Sequence, residues 1–291
     1  MIYARAYAKI NWALDILATR ENGYHELDML MQSVSLCDEL TFCEAEDVTL
    51  TTNGQPDPYA EKNLIVRAAR LLQQETGYSR GARISLTKRI PAMAGMGGGS
   101  ADCAAAMKAL NRLWALKLTD ERLLEMGFSL GADVPFCLTG GLCRVKGLGE
   151  ILNRLEAPAP ARLLIVMPDG GLSTGAVFGG YDRMERSMPP VDMESAQRAL
   201  TAGDYRELNR TAANVLTVPA MQVSGAIEGA IDAMYHCGAV MAQMSGSGSA
   251  VFGVFGDEET ARAAQAALAG KYAFCEYAEA VPAGVELEEW A

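Results

Sequence analysis

The sequence lacks any apolar run that approaches the roughly 18 residues needed to span a bilayer. Its first residues, MIYARAYAKINWALDIL, have neither the basic start nor the apolar centre of a signal peptide. These two absences predict a cytoplasmic protein that has no membrane partner.

Histidine is scarce, and cysteine occurs without a recognisable pattern. The two histidines, His25 and His236, are far apart, and no Gly-x-Ser-x-Gly motif occurs, which argues against a Ser-His-Asp hydrolase. Seven cysteines with no Cys-x-x-Cys pair argue against a disulfide scaffold and against the common zinc sites. We interpret the cysteines and His236 as structural, and we predict no metal site made of protein ligands.

Basic residues are outnumbered, 25 against 36 acidic ones, so the formal net charge is −11. A nucleic-acid-binding protein normally has the opposite balance, so no nucleic-acid partner is expected. A small anionic ligand is compatible with this charge, because a few lysines and backbone N–H groups suffice for a local positive site. The acidic C-terminal segment GVELEEWA is interpreted as a solvated terminus.

The 291 residues, half of them hydrophobic, suffice for two ordinary domains or one large one. Strands are predicted in the first 45 residues, where LMQSVSL and ELTFCEA read as two separate strands after an Asn-Gly turn. Before that turn, residues 4–17 alternate and predict a strand with one apolar and one polar face. The apolar face has Ile10, Trp12, Leu14 and Ile16, and the polar face has Lys9, Asn11, Ala13 and Asp15.

The middle of the sequence alternates between helical and strand patterns. NLIVRAARLLQQETG predicts an amphipathic helix ending at Gly77, and GARISLTKRIP predicts a strand that leads into a glycine run. Beyond the run, a helix is predicted from apolar residues at helical spacing, followed by a helix over about 120–130 and strands in GLCRVKGLGEIL. The spaced apolar residues are Cys103, Met107, Leu110 and Trp114.

The C-terminal half begins after a break in RLEAPAPARLL. Helices are predicted near 192–202, 205–215, 222–236 and 257–269, and GAVMAQMSGSGSAVFGVF predicts two strands joined by a glycine turn. Strands and helices in this irregular order predict an α+β fold.

The segment AGMGGGSADCAAAMKAL places four glycines in five positions just before a helix. A strand, a glycine loop and a helix N-terminus form an anion site, since the first-turn N–H groups lack partners and the helix dipole is positive there. Ser100 would cap the helix or donate to a phosphate oxygen. The alternative is a tight turn that only packs against a strand.

Two common phosphate loops do not fit this segment. The pattern G-x-G-x-x-G, begun at Gly95, needs glycine where Ser100 stands, and no lysine follows these glycines as the Walker loop requires. A phosphate site of another kind is therefore expected.

The segment IPAMAGMGGGSADCAAA resembles the Pro-x-x-x-Gly-Leu-Gly-Gly-Gly-Ser-Ser motif of the GHMP kinases. AKIN, GYH, LGADVPFCL, STGAVF and MSGSGSAVFGVF also occur in the order and spacing of one branch, whose substrate is a cytidine diphosphate derivative of methylerythritol. The resemblance covers nearly the whole chain. It departs at Ala101, Met96 and Met31, where a serine, a leucine and an aromatic residue are usual, and in ANVLTVPAM, which lacks an acidic residue after the asparagine.

The resemblance implies a two-lobed α+β fold. Residues 1–156 would form a lobe like domain 2 of ribosomal protein S5, and residues 157–291 would form a ferredoxin-like lobe. ATP would lie under the glycine loop, and the alcohol would lie in the cleft that Gly246 and Gly248 face. The resemblance also implies a monomer or weak homodimer. This protein would phosphorylate the 2-hydroxyl of its substrate in the non-mevalonate route to isoprenoids.

The resemblance assigns Asp133 as catalytic base and Lys9 as the partner that stabilises charge. The residues alone leave alternatives: Asp133 also fits a turn or cap aspartate after a helix, and Lys9 fits an exposed lysine on a half-solvated strand. Asn11 would hold the polyol end of the substrate.

For the cytosine base, the resemblance implies a stacking contact from Tyr24, a hydrogen bond from His25 and a second stacking contact from Phe178, with Thr174 nearby. The residues alone also fit a surface pair after a turn and a core phenylalanine. Since stacking accepts any base, His25 and nearby backbone groups would have to select cytosine.

For ATP, the resemblance implies phosphate contacts from Gly95, Gly97, Gly98, Gly99 and Ser100. Lys88 and Asn63 match positions near the adenine, and Asp102 is close to them, although Lys88 also fits a solvated strand end. Mg²⁺ is implied as a cofactor, because the metal bridges the β- and γ-phosphates, and it would be held mostly by nucleotide and water.

Other functions stay open on the sequence: a GHMP kinase for homoserine or a mevalonate derivative, a ligand-binding protein that has lost catalysis, and a structural interaction protein. NGYH before a polar-aromatic pocket favours a substrate with a base. The presence of Lys9 and Asp133 argues against a protein without catalysis.

Overall fold

The structure is a computed structural model that describes residues 1–156, 161–168, 170–184 and 190–290. It confirms the predicted α+β fold, with helices packed on two separate sheets. Within these ranges, no helix combines the length and the apolar character that crossing a bilayer requires. The break predicted at Pro158 and Pro160 lies outside the described residues, and the division at residue 156 stays a prediction.

In the part of the chain that the structure describes, the larger sheet has eight strands, two of which are unusually long. These strands are β1 (Ile2–Thr19), β2 (His25–Ala45), β3 (Thr49–Thr52), β4 (Gln55–Pro56), β5 (Gly81–Thr87), β6 (Leu142–Gly147), β7 (Ile151–Leu155) and β12 (Val285–Glu289). Their order is β12-β1-β2-β5-β3-β4, and β6 pairs with both β2 and β7. The two strands predicted separately between residues 30 and 45 are parts of the single strand β2.

At 21 residues, β2 is far longer than an ordinary strand, and different parts of it serve different neighbours. Its first part pairs with β6, from Leu27 to Gln32, and its last part pairs with β5, from Glu39 to Ala45. The change of neighbour leaves a gap in the sheet between β5 and β6, and Asp38 lies at that gap.

The smaller sheet contains β8 (Arg162–Met167), β9 (Met241–Met244), β10 (Val251–Phe255) and β11 (Phe274–Glu279). Its order is β11-β8-β10-β9, and every pair is antiparallel. The predicted glycine turn is confirmed between β9 and β10.

Four helices lie in the N-terminal half: α1 (Leu64–Thr76), α2 (Gly98–Leu113), α3 (Asp120–Leu130) and α4 (Val134–Thr139). Of these, α2 and α4 pack on the larger sheet, and α1 and α3 pack against α2. The predicted end of α1 is confirmed, since Gly77 follows it with a φ of 71°. Asn63 caps the other end by accepting a hydrogen bond from the N–H of Ile65. The predicted apolar stripe of α2, from Cys103 to Trp114, is buried.

The described residues of the C-terminal half contain six helices: α5 (Thr174–Asp182), α6 (Met193–Thr201), α7 (Tyr205–Thr211), α8 (Thr217–Val223), α9 (Ala226–His236) and α10 (Glu258–Leu268). The helix predicted over 205–215 is too long, because the chain becomes extended at Ala212 so that Asn214 can pair with Leu14 of β1. The helix predicted over 222–236 is wrong at its start, because extended backbone at Ser224 separates α8 from α9.

The acidic C-terminal segment is a paired strand rather than a free terminus, although its acidic side chains are exposed to solvent as predicted. β12 pairs antiparallel with β1, where Val285 lies opposite Ala6. Acidic side chains of β12 meet basic partners: Arg5 binds Glu288 at 2.9 Å, and Arg112 of α2 binds Glu289. The charge of this segment is therefore matched locally.

Both faces of β1 are buried around Lys9, so the alternative interpretation of Lys9 as an exposed lysine on a half-solvated strand is wrong. Lys9, Asn11 and Asp15 are at most 4 % exposed. Two features account for the burial of these polar side chains. The register shifts between Asn11 and Ala13, and the smaller sheet packs across the strand, where Gln243 donates to the carbonyls of Asn11 and Trp12 at 3.3 and 2.9 Å.

Candidate active site

A cavity of about 780 Å³ lies between β1, the glycine loop, α1 and the glycine turn of the smaller sheet. All the predicted site residues line it except Tyr24 and His25. The lining set includes Lys9, Asn11, Asn63, Lys88, Gly95, Gly97, Gly98, Gly99, Ser100, Asp102, Asp133, Thr174 and Phe178. The residues predicted to bind ATP and those predicted to bind the alcohol therefore line the same cavity.

The glycine loop opens the N-terminus of α2 toward this cavity. Gly97 is the N-cap residue and has a φ of 68°, and the first intrahelical bond runs from the N–H of Ala101 to its carbonyl. The N–H groups of Gly98, Gly99 and Ser100 precede that bond and are free to bind an anion. The predicted capping role of Ser100 is wrong, because Ser100 is the third residue inside the helix.

Three of the glycines have different neighbours, which explains why several are needed. A Cβ at Gly97 would lie 3.1 Å from Cγ of Lys9, and one at Gly98 would lie 3.2 Å from Nζ of Lys88. A Cβ at Gly99 would meet nothing closer than 3.9 Å. Gly97 and Gly98 thus allow two lysines to approach the start of the helix.

Lys9 and Asp133 face each other at the cavity wall. The Nζ atom of Lys9 donates to Oδ1 of Asn11 at 2.7 Å and lies 3.8 Å from Oδ2 of Asp133. Asp133 occupies the N-cap position of α4, but its side chain makes no capping hydrogen bond. Its carboxylate, with 36 % of the side chain exposed, is therefore open to a ligand beside a buried ammonium group.

The glycine turn of the smaller sheet closes over Lys9. A Cβ at Gly246 would lie 3.0 Å from the Nζ atom of Lys9, and Thr174 Oγ1 lies 3.0 Å from Ser247 Oγ. Asn214 holds this turn, because its side-chain amide donates to the carbonyls of Met244 and Gly246 at 2.9 and 2.8 Å. Asn214 was not among the predicted site residues; its signal in the sequence is a lone amide in the apolar segment ANVLTVPAM.

Lys88 lies between two carboxylates, so its alternative interpretation as a solvated strand-end lysine is wrong. Its Nζ atom binds Oδ2 of Asp102 at 2.9 Å and also binds Oδ2 of Asp38. Although burial lowers the pKa of Lys88, the two carboxylates raise it above its ordinary value. Asp38 was missed by the sequence analysis, because nothing in the strand pattern distinguishes a carboxylate that faces inward.

Asp102 is almost fully buried in α2. Burial raises the pKa of Asp102 to about 8, and the charge of Lys88 offsets only part of this effect. Asn63, on the other side of the cavity, donates to Asp57 Oδ2 at 3.0 Å while it caps α1.

His25 lies in an aromatic cluster outside the lining of the cavity. Its ring centroid lies 4.9 Å from that of Phe178 and 6.3 Å from that of Tyr181, and its Nε2 atom lies 2.7 Å from Oδ1 of Asp182. Tyr24 is 62 % exposed on the preceding turn. The structure thus brings His25 next to Phe178, whereas Tyr24 is exposed to solvent.

The donor set of the cavity fits magnesium only together with a nucleotide. Among the described residues, no group of three or more His, Cys, Asp and Glu side chains could hold a metal ion. The Asp133 carboxylate and the Ser100 hydroxyl line the cavity and are oxygen donors, the type that Mg²⁺ prefers alongside phosphate and water.

Comparison with known proteins shows the family to which the chain is similar. The family model described as "GHMP kinases N terminal domain" matches residues 63–141, which include the glycine loop and Asp133. The model described as "GHMP kinases C terminal" matches residues 196–273. The 4-diphosphocytidyl-2-C-methyl-D-erythritol kinase of Thermoanaerobacter pseudethanolicus is 38 % identical over 288 residues, covering 99 % of each chain. The chain belongs to the GHMP kinase family.

Two further relatives of this GHMP kinase are kinases of the same kind. The 4-diphosphocytidyl-2-C-methyl-D-erythritol kinase of Caldicellulosiruptor bescii is 39 % identical over 259 residues, which cover 88 % of this chain and 90 % of that protein. A crystal structure of 4-(cytidine 5'-diphospho)-2C-methyl-D-erythritol kinase has a TM-score of 0.82 at 33 % identity, and the match covers 96 % of this chain and 98 % of the other. Both lobes of the fold are thus shared with enzymes of one branch of the family.

Proposed function

We propose that this protein transfers the γ-phosphoryl group of ATP to the 2-hydroxyl of 4-diphosphocytidyl-2-C-methyl-D-erythritol, in the non-mevalonate route to isoprenoids. The observation that carries the proposal is the Lys9–Asp133 pair, 3.8 Å apart, beside the open N-terminus of α2 in a single cavity. Relatives that share more than a third of the sequence are 4-diphosphocytidyl-2-C-methyl-D-erythritol kinases.

The ATP phosphates would bind at the start of α2. The free N–H groups of Gly98, Gly99 and Ser100 point along the helix axis, and the helix dipole favours negative charge at this end. Lys9 would add a positive charge on one side of the phosphates. Lys88, which the resemblance places near the adenine, lies beside Gly98 and would instead approach the phosphates from the other side. The protein's contribution to phosphoryl transfer is mainly such positioning and neutralisation of charge.

Asp133 would orient the acceptor hydroxyl and take its proton. The hydroxyl oxygen forms a bond to the γ-phosphorus while the bond to the β–γ bridging oxygen breaks, and ADP leaves with that electron pair. The ammonium group of Lys9 neutralises charge that develops on the phosphoryl oxygens. Asn11, which accepts a hydrogen bond from Lys9, would hold the polyol.

Magnesium bound with ATP would neutralise part of the negative charge of the phosphates. Asp133 and Ser100 are the residues of the described cavity that would lie near it.

The cytosine would bind near the aromatic cluster at the tip of the first hairpin. Phe178 lines the cavity and contacts His25, so it connects the phosphate end of the site to this cluster. Tyr24 would cover the outer face of the base, and Thr174 would lie beside it.

The test is release of ADP by the purified protein with magnesium-ATP and one acceptor at a time: the cytidyl diphosphate substrate, homoserine, mevalonate or none. We expect turnover with the cytidyl compound alone. Turnover with homoserine or mevalonate instead would be consistent with the proposed phosphate site. It would refute the proposed binding site for the cytosine ring. The matched Asp133→Asn variant should bind ATP and release little ADP.

A further inference from the structure

One turn of helix α5 surrounds the side chain of His25. Tyr181 and Asp182 follow Phe178 by three and four residues, so these three side chains lie on one face of the helix. The ring centroid of Phe178 lies 4.9 Å from that of His25, and the ring of Tyr181 meets the imidazole at 86°. Since the His25 side chain is only 9 % exposed, these contacts limit how its ring can turn.

The third contact of His25 in this turn is polar. Its Nε2 atom lies 2.7 Å from Oδ1 of Asp182, whose side chain is 45 % exposed. A solvated carboxylate is ionised at neutral pH and can only accept hydrogen bonds, so Nε2 is the nitrogen that donates. The neutral imidazole therefore has its single N–H on Nε2, and Nδ1 has a lone pair.

Nδ1 of His25 is the ring nitrogen that remains for a ligand. Among the residues that the structure describes, none forms a hydrogen bond with Nδ1. The imidazole lies against Phe178, which lines the cavity, so a base that contacts Phe178 would come close to His25. The hydrogen bond that we expect between His25 and cytosine is then one that the histidine accepts.

An acceptor at this place discriminates between the two common pyrimidines. The exocyclic amine is the only hydrogen-bond donor on the pairing edge of cytosine, whereas uracil has a carbonyl oxygen at the same position. Nδ1 can accept a hydrogen bond from the amine, but its lone pair would face the lone pairs of the uracil oxygen. A site built around such an acceptor rejects a ligand that leaves the acceptor unpaired.

We propose that Asp182 is a positioning residue that keeps the proton of His25 on Nε2 and thereby makes the site select cytosine over uracil. Asp182 touches no reacting atom and acts through His25. The inference rests on the proposed function and extends it to the origin of the base selectivity. The two histidines should then have their protons on different nitrogens, because Nδ1 of His236 lies 2.7 Å from the carbonyl oxygen of Asp232 and must donate to it.

The first experiment locates both protons without any ligand. Long-range ¹H–¹⁵N correlation spectra of the full-length protein at about pH 8 distinguish an imidazole protonated on Nε2 from one protonated on Nδ1. We expect the Nε2–H form for His25 and the Nδ1–H form for His236. In Asp182→Asn the amide can donate as well as accept, so His25 should become a mixture of the two forms while the signals of His236 stay unchanged.

The second experiment measures kcat and KM with magnesium-ATP for the cytidyl substrate and for its uridyl analogue. In the wild type we expect kcat/KM to be at least about a hundredfold lower for the uridyl compound. Asp182→Asn should reduce this ratio about tenfold through the KM values of the two acceptors. Its kcat for the cytidyl substrate and its KM for ATP should stay within about twofold of the wild type.

The matched control is Glu26→Gln. Glu26 lies next to His25 on the same hairpin and its side chain is 41 % exposed, but its carboxylate pairs with Arg20. The substitution therefore removes the same charge from the same region without changing the partner of Nε2. Its spectra for both histidines and its ratio for the two acceptors should equal those of the wild type.

Each outcome either supports or overturns the inference. A wild-type His25 that is protonated on Nδ1 overturns it and leaves the proposed function standing, and so does an unchanged acceptor ratio in Asp182→Asn. Failure of the wild type to phosphorylate the cytidyl substrate overturns the proposed function and the base selectivity together. If Asp182→Asn does not fold, the wild-type spectra alone decide.

Discussion

The backbone of Gly95 lies directly against the carbonyl group of Ser245, so the two glycine segments of the cavity are in contact. Ser245 Oγ donates to the carbonyl of Gly95 at 3.0 Å, and a Cβ at Gly95 would overlap the carbonyl oxygen of Ser245. Gly95 also has a φ of 72°, a backbone conformation that residues with a side chain rarely adopt. The phosphate loop is therefore held in place by the smaller sheet.

This contact predicts that Gly95→Ala destabilises the protein by about 1–3 kcal/mol and lowers activity, because overlap is added to an unfavourable backbone conformation. Thermal unfolding measures the stability. The matched control is Gly99→Ala, where a Cβ meets nothing within 3.9 Å, so its unfolding temperature should stay close to that of the wild type. Equal stability of the two variants would contradict the contact.

Asp133→Asn is predicted to lower kcat by about 10²–10⁴-fold, because an amide cannot take the proton of the acceptor hydroxyl. The side chain makes no capping bond, so the unfolding temperature should change little. Asp120→Asn, at an exposed first-turn position of α3, is the control and should keep normal turnover. A kcat near that of the wild type in Asp133→Asn would refute its role as base.

Asn214→Ala is predicted to lower kcat more than it changes the KM for ATP. The substitution removes two hydrogen bonds that hold the turn above Lys9, so the lysine would lose its position relative to Asp133. Steady-state kinetics measure both constants, and a stability loss of about 1–3 kcal/mol is expected alongside. The exposed Asn209→Ala serves as control. A change confined to the KM for ATP would contradict this assignment.

Local signals in the sequence were sufficient to predict the features that depend on residues within one helix or loop. The end of α1 at Gly77 and the apolar stripe of α2 depend on spacing within one helix, and both were predicted. The glycine loop was predicted to be an anion site from adjacent residues in the same way, and that role stays a prediction.

Contacts between distant segments could not be predicted in this way. The polar face of β1 is buried because Gln243, more than 200 residues later, covers Asn11. Asp38 reaches Lys88 across 50 residues, at a gap between β5 and β6 that no pattern within one strand indicates. These are tertiary contacts. Within the sequence, only the resemblance to the GHMP kinases indicated any of them.

His25→Ala is predicted to raise the KM for the cytidyl substrate about tenfold or more while the KM for ATP stays within about twofold, since a lost hydrogen bond to a base edge affects one ligand alone. His25 contacts Phe178 at the edge of the cavity, away from the glycine loop. The other histidine supplies the control: His236 is exposed at the end of α9, where Nδ1 lies 2.7 Å from the carbonyl oxygen of Asp232, and His236→Ala should leave both constants unchanged. If His25→Ala raised both KM values equally, the histidine would have a structural role in the cleft. Other groups would then have to select cytosine.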